Sequence, residues 1–313
     1  MPPTHQAETR FTPTVLPKYV VITPVRNEAA YIEKTLTSMV AQTVKPAQWI
    51  IVNDGSADRT GQIVSNYAAQ YPWIRLINRE DRGFRQLGPG VVDAFYEGFG
   101  QITHTDYDVV VKLDGDLSFE PNYFEELMNQ FAANPRLGIA SGVPIELNGG
   151  KWDTWKALHS CTHGQTKLYR RECFEAIGGI PRSLGWDGID DWKARMLGWQ
   201  TVAFEYLRVL HHRIQGAATG TLKSRVERGQ GAYFMGYHPL YMSLRGIRRM
   251  INRPYVIGGC AMIWGYVASW LARREQVESE LVRFVRRTQL RLLASLVRSS
   301  LSIRLSRSGE DSG

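Results

Sequence analysis

Through the first 140 residues, short runs of β-branched and other apolar residues alternate with longer segments whose apolar positions recur at helical spacing. Residues 19–23 (YVVIT), 48–53 (QWIIVN), 74–78 (IRLIN), 108–113 (DVVVKL) and 137–141 (LGIAS) read as strands. Helices are predicted between them at about 28–42, 58–71, 90–102 and 121–133, the last with Pro121 in its first turn, where proline is tolerated. Strand and helix in alternation make βαβ units and hence a parallel sheet. Because the strands are apolar almost throughout, both faces of that sheet are covered, and such sheets bind ligands at the carboxyl ends of their strands. The polar residues immediately after each strand are therefore the candidates for chemistry.

Beyond residue 141 the pattern is mixed, with a segment at 167–179 (KLYRRECFEAIGG) that closes on two glycines. A short acidic helix is expected at 189–197, and a strand at 201–210 leads into His211 and His212. The composition changes there. Residues 1–212 carry 21 Lys and Arg against 24 Asp and Glu, net −3, whereas 213–307 carry 17 against 4, net +13. A basic block of this kind seeks polyanions, either nucleic acid or anionic lipid. No nucleic-acid motif accompanies it, and its apolar content favours an anionic membrane surface. Residues 255–272 (YVIGGCAMIWGYVASWLA) are uncharged and sit at the lower limit for a membrane span. Leu281, Phe284, Val285, Leu292, Leu293 and Leu296 then recur among arginines, as in a basic amphipathic helix lying on lipid.

Only Cys161, Cys173 and Cys260 are present, so a disulfide framework is not expected and a reducing compartment fits. The first eighteen residues lack the apolar core of a secretory signal, and 1–17 read as a disordered lead-in. These features predict a catalytic part on the cytoplasmic face of the plasma membrane.

The fourth strand runs into Lys112, Leu113, Asp114, Gly115 and Asp116. Two carboxylates this close repel unless a cation lies between them, and a few oxygen ligands suit Mg²⁺ or Mn²⁺ bridging a diphosphate. The first strand ends in Thr23, Pro24, Val25, Arg26, Asn27 and Glu28, and the second in Asn53, Asp54, Gly55 and Ser56, all placed to contact a base, ribose or phosphate. Asp54 is the better candidate for the base, and Asp58 is expected to cap the following helix. The glycine-rich loop 79–90, with Arg85, is a candidate for donor phosphates. Neither GxGxxG nor GxxxxGK[ST] follows any strand, so dinucleotide and Walker-type sites are disfavoured. At the acidic helix, Asp187 and Asp190 resemble a capping pair, and any of Asp187, Asp190 and Asp191 could accept a proton from a hydroxyl. His159, Cys161 and His163 would share one face of an extended segment, but a fourth ligand is missing, and no metal is assigned to them.

Taken together these motifs resemble the family 2 glycosyltransferases of the GT-A fold, over residues 18–215. The resemblance implies a Rossmann-like mixed α/β sheet flanked by helices, followed here by a basic, helical, membrane-associated region at 216–313. It implies that Asn27, Glu28 and Asp54 bind a nucleotide and that Asp114 and Asp116 bind the cation and the donor diphosphate. In that family an Asp within a Glu-Asp pair at a helix start is the catalytic base. Matching residues 186–199 without gaps, on Lys193, Ala194 and Gly198, lays Asp187 on the base and Trp186 on the family's Glu, while Asp190 or Asp191 takes the position if the loop is shifted. Relatives also supply a late histidine to the metal. Val209 shares a strand face with His211, which favours His211 over His212. The expected activity is inverting transfer of a hexosyl or N-acetylhexosaminyl group from a nucleotide-sugar to a lipid-linked or polysaccharide acceptor, with homo-oligomers possible. A nucleotidyltransferase and a non-catalytic nucleotide-sugar-binding protein are the rival classes.

Overall fold

The computed structural model describes residues 15–81, 83, 89–148, 151–154, 161–183, 185–213, 221–251 and 254–310; of residues 147–148, 151–154, 221, 297 and 299–310 only the backbone is described. The disordered lead-in expected at 1–17 and Arg85 fall mainly or wholly outside these residues.

The first half follows the predicted alternation. Strands β1 (Tyr19–Val25), β2 (Gln48–Asp54), β3 (Ile74–Arg79) and β4 (Val109–Leu113) are separated by helices α1 (Ile32–Val40), α2 (Thr60–Gln70) and α3 (Pro89–Phe99). They pair in parallel in the order β3, β2, β1, β4. Val20 and Ile22 face one side of the sheet against α3, and Tyr19 and Val21 face the other against α1 and the next helix, giving two cores. Every residue of β4 is buried, as covering on both faces requires.

The second half departs from the parallel expectation. After β4 come β5 (Leu117–Phe119), α4 (Tyr123–Ala133), β6 (Leu137–Asn148), β7 (Lys151–Thr154), β8 (Thr166–Arg170), α5 (Arg171–Ala176), α6 (Trp186–Met196) and β9 (Gln200–His211). The sheet continues β4, β8, β6, β9, β5, with β7 paired to β6. β8 runs antiparallel to β4 and β6, and β5 antiparallel to β9, so the sheet is mixed. The segment at 167–179 is thus a strand and a helix rather than one element. β5, β7 and β8 are short, and the partners of β5 and β8 lie far away in sequence, so periodicity alone does not reveal them.

Four helices follow: α7 (Thr221–Phe234), α8 (Pro239–Arg249), α9 (Ile257–Leu271) and α10 (Ser279–Glu310). At about 1.5 Å per residue α9 is about 22 Å long, short of the roughly 30 Å of hydrocarbon in a bilayer. No described helix is long and apolar enough to cross a membrane. The α10 stripe expected on lipid is instead committed in part to protein: Leu281 and Val285 are buried against Ile189 and Trp192 of α6, with Phe284 packed beside them. α7 and α9 touch through glycines. A Cβ on Gly229 would stand 2.0 Å from the Met262 carbonyl oxygen, a backbone atom that cannot turn aside. Gly229→Ala is accordingly expected to destabilise the chain by about 1–3 kcal/mol through overpacking, visible as a lowered melting temperature with the donor site intact; an unchanged melting temperature would show that α7 is not held against α9.

Candidate functional site

The carboxyl ends of β1, β2 and β4 and the start of α6 enclose a cavity of about 360 Å³, lined by residues that include Pro24, Arg26, Glu28, Asp54, Lys112, Asp114, Gly115, Asp116, Trp186 and Asp187. Gly115 is required by close packing, since a Cβ there would lie 2.7 Å from Val25 Cγ1. That packing sets Asp114 and Asp116 on the cavity wall.

Each carboxylate of the pair has a different environment. Lys112, itself buried, donates to Asp114 Oδ1 and, at 2.8 Å, to the Gly164 carbonyl. Burial raises the Asp114 carboxyl above its ordinary range and the charge of Asp116 adds to that, while Lys112 opposes. Asp116 is buried too, but the bond and charge of His211 and the charge of Arg213 outweigh burial and hold its carboxyl low. Its Oδ2 lies 3.4 Å from both His211 Nε2 and Arg213 Nε, and its Oδ1 is buried with no hydrogen-bond partner.

His211 sits between two acids. Its Nδ1 is 2.9 Å from Glu146 Oε1, a pairing made because β6 and β9 bring Glu146 and His211 into direct register. His212 turns the other way, bonded to Ser118 Oγ at 2.8 Å and stacked on Tyr31. Arg213 bridges the cavity by pairing Glu28 as well as approaching Asp116. An oxygen pair with one buried, unpartnered Oδ1 beside an imidazole suits a divalent cation. Among the described residues no three His, Cys, Asp or Glu side chains converge closely enough to cage a metal alone. A cation here would therefore draw further oxygens from a bound diphosphate, as Mg²⁺ and Mn²⁺ commonly do.

The nucleotide-side candidates divide into two groups. Arg26, Glu28 and Asp54 reach the cavity. Arg26 donates to the Asp54 carbonyl at 2.5 Å and to Asp81 Oδ1 at 2.6 Å, and Arg79 donates to Asp54 Oδ1 at 2.7 Å. Thr23, Asn27 and Ser56 are not among its lining. Thr23 is fully buried and accepts from Trp49 Nε1, while Asn27, at φ +54°, bonds Ser56 Oγ through its amide and Ala57 N through its side chain, lacing the first two loops together. Asp58 joins this lacing: it accepts from Thr60 N and Ala29 N, and the helix cap position is Arg59.

The three acids of α6 are equally unlike one another. The helix begins after Gly185, at φ +77°, with no side-chain cap, so Asp187 and Asp190 do not form the expected capping pair. Asp190 is fully buried, accepting from Lys167 Nζ at 2.6 Å and Tyr169 OH at 2.6 Å. Asp191 accepts from Thr162 N at 2.9 Å and Thr162 Oγ1 at 2.6 Å. Burial alone would lower the Lys167 pKa, yet Asp190, Asp191 and Asp187 together raise it. Lys167 also donates to the backbone carbonyl of Asp187 at 2.6 Å, leaving the Asp187 carboxylate exposed on the cavity wall. Trp186, where the family pattern has Glu, lies under Lys112 at 5.1 Å and Lys167 at 5.8 Å, its ring face receiving two cations. Glu146, Lys167 and Arg213 escaped sequence reasoning, because each acts through a partner 20 or more residues away. His159 lies outside the described residues, and His163 is buried with Nε2 unpartnered.

Residues 20–182, just over half of the chain, match the sequence model of Glycosyl transferase family 2. The chain belongs to that family. It is 24% identical over 227 residues to poly-beta-1,6-N-acetyl-D-glucosamine synthase of Staphylococcus aureus (strain COL), covering 66% of this chain and 52% of the synthase. The chain thus spans about half the length of that relative. An uncharacterised glycosyltransferase of Rickettsia typhi is 28% identical over 224 residues, covering 66% of this chain and 67% of its own. The fold is shared with the mannosyltransferase PcManGT from Pyrobaculum calidifontis, solved with GDP-Man and Mn²⁺ (TM-score 0.53, 19% identity, 94% of this chain and 82% of that one). It is shared also with GalNAc-T7, solved with UDP, GalNAc and Mn²⁺ (TM-score 0.55, 12% identity, 84% and 55%).

His211 gives this glycosyltransferase a pH signature. Burial would lower its pKa, but Asp116 and Glu146 raise it from 6.5 to about 9. A group whose pKa is raised on folding stabilises fully below its unfolded value and ceases to do so as pH climbs through the folded one. In metal-free protein the melting temperature is expected to fall between pH 6.5 and about 9, and His211→Asn should flatten that slope; an equal slope in both proteins would remove His211 from the Asp116–Glu146 pair.

Proposed function

We propose that this chain is an inverting glycosyltransferase that takes a sugar from a nucleoside-diphosphate donor in the cavity and delivers it to a lipid-linked or growing glycan acceptor in envelope or exopolysaccharide assembly. One observation carries the reading. Of the three acids on α6, Asp187 alone presents its carboxylate to the cavity wall that also holds Asp114 and Asp116, while Asp190 and Asp191 are consumed by Lys167, Tyr169 and Thr162. Asp187 accepts the acceptor hydroxyl proton as that oxygen attacks the anomeric carbon from the face opposite the leaving diphosphate, which inverts the configuration. Lys167 keeps the start of α6, and with it Asp187, at a fixed distance from the sheet. Asp114, Asp116 and His211 would hold Mn²⁺ or Mg²⁺, which when bound neutralises charge building on the departing diphosphate. Arg26, Glu28 and Asp54 would contact the nucleoside. Relatives solved with GDP-Man and Mn²⁺ or with UDP and Mn²⁺ support this choice of donor and cation.

The acceptor is met at the membrane surface in this reading. Leu240, Leu244 and Ile247 form an exposed stripe on α8, and Ile257, Trp264, Trp270 and Leu271 are exposed on α9, beside a block of arginines. A surface of apolar and aromatic residues with flanking cations suits the interface of an anionic bilayer on the cytoplasmic face.

Incubating the chain with UDP-, GDP- and TDP-sugars and Mn²⁺ should yield donor turnover with at least one of them, and Asp187→Asn should lower turnover by about 10²–10⁴-fold without weakening nucleotide binding. Asp190→Asn should instead act on the melting temperature. Turnover surviving in Asp187→Asn would end its assignment as base. Trp264→Glu with Trp270→Glu is expected to abolish cosedimentation with vesicles containing phosphatidylglycerol; undiminished cosedimentation would remove α9 from the membrane.

A further inference from the structure

The helical layer carries a concentration of positive charge that the donor chemistry does not use. Residues 221–251 hold six Lys and Arg against the single acid Glu227. Arg225 and Arg228 lie one turn apart on α7, and Arg245 and Arg249 one turn apart on α8. Both helices lean on α9, through Gly229 and Gly265 on one side and Gly246 and Gly259 on the other, so the two arginine pairs are brought together. They feel one another: burial, then Arg228 and Arg249, lower Arg225 to about 10, and burial, then Arg249 and Arg245, lower Arg228. All remain cationic at neutral pH, so the repulsion persists.

Arg225 and Arg249 form no ion pair among the described residues, and the Nε of each is buried without a hydrogen-bond partner. Gly258, in the first turn of α9, lies against Arg225: a Cβ there would stand 3.9 Å from Arg225 Nε. The amino end of α9 adds its own positive potential at that point. The carboxyl end of α7 reaches α6, where Met235, just after the helix, packs on Gly188, and the charges of Asp187 and Glu146 act on Arg228. Half-exposed Arg225 and Arg249, each with an Nε–H that has no acceptor, and exposed Arg228 and Arg245 offer from two helices the forked donors that bind a phosphate group.

We infer that Arg225, Arg228, Arg245 and Arg249 form a phosphate-binding site between α7 and α8, at the amino end of α9, that holds a phosphate group of the acceptor or of a membrane lipid. The assignment to an acceptor rests on the proposed transferase function; the anion site itself does not. None of the four arginines lines the donor cavity, so a phosphate held there is separate from the diphosphate of the donor at Asp114 and Asp116.

The test titrates inorganic pyrophosphate into the full chain in EDTA at constant ionic strength, so that the cation-dependent donor site is silent. The wild type is expected to bind, Arg225→Gln with Arg249→Gln to weaken binding about ten-fold or more, and Arg225→Lys with Arg249→Lys to fall between, because lysine supplies charge without the fork of donors. Circular dichroism checks the fold, and should the double Gln variant fail it, Arg249→Gln alone carries the comparison. Equal affinity in wild type and Gln variant, or no binding by the wild type, overturns the site. Vesicles of phosphatidylcholine with phosphatidylglycerol distinguish the sources: release of bound vesicles by pyrophosphate marks a lipid headgroup as occupant, and retention marks the acceptor's own phosphate. A wild type that binds pyrophosphate but no nucleotide with Mn²⁺ would sink the transferase reading while leaving this site standing.

Discussion

One buried ammonium governs the geometry of the site. Lys167 is fully enclosed, and taking its charge out of water is affordable only because Asp190 and Asp191 surround it. The same nitrogen donates to the Asp187 carbonyl, so β8 and the first turn of α6 are joined at the point where the sheet meets the cavity. Two acids offset one cation, and the excess is visible at Asp190, whose carboxyl burial raises to about 6 even with Lys167 beside it. Tyr169 and Thr162 supply the remaining hydrogen bonds, so no oxygen of this knot is left to take part in chemistry. Of the three acids on α6, Asp187 is the one that lines the cavity.

A second knot lies across the cavity. Glu146, His211, Asp116, Arg213 and Glu28 alternate in charge, and they come from β6, β9, the end of β4 and the loop after β1. Four distant stretches of chain therefore have to arrive in register before Asp116 is aimed. The parallel pairing of β6 with β9 is what fixes Glu146 opposite His211. The chemistry of the loops depends in this way on the sheet order, and not only on local motif.

Much of this was legible in the sequence because it is local. The strands at β1 to β4 announced themselves by short runs rich in apolar residues, and Asp114 and Asp116 by their position at the end of one. The preference for His211 followed from strand alternation with Val209, and the two histidines do face opposite ways. The failures have a common cause. Asp58, Asn27 and Ser56 are short polar residues after strands, which reads equally as ligand binding, capping or loop lacing, and only the contacts between loops decide. β8 is five residues long and holds Lys167, whose meaning depends on acids more than twenty positions later. The apolar stripe of α10 matched a lipid-facing helix in period and charge, but periodicity does not say what the stripe meets.

What that stripe meets has a consequence for the extent of the working unit. Leu281 and Val285 close over Ile189 and Trp192 on the outer side of α6. A chain trimmed to the stretch shared with the family, 20–182, would lack α6 altogether, and one ending after β9 would leave a wet tryptophan where a helix now sits. The basic carboxyl-terminal part is thus a wall of the catalytic fold, and a load placed on α10 would be felt at the helix that carries Asp187.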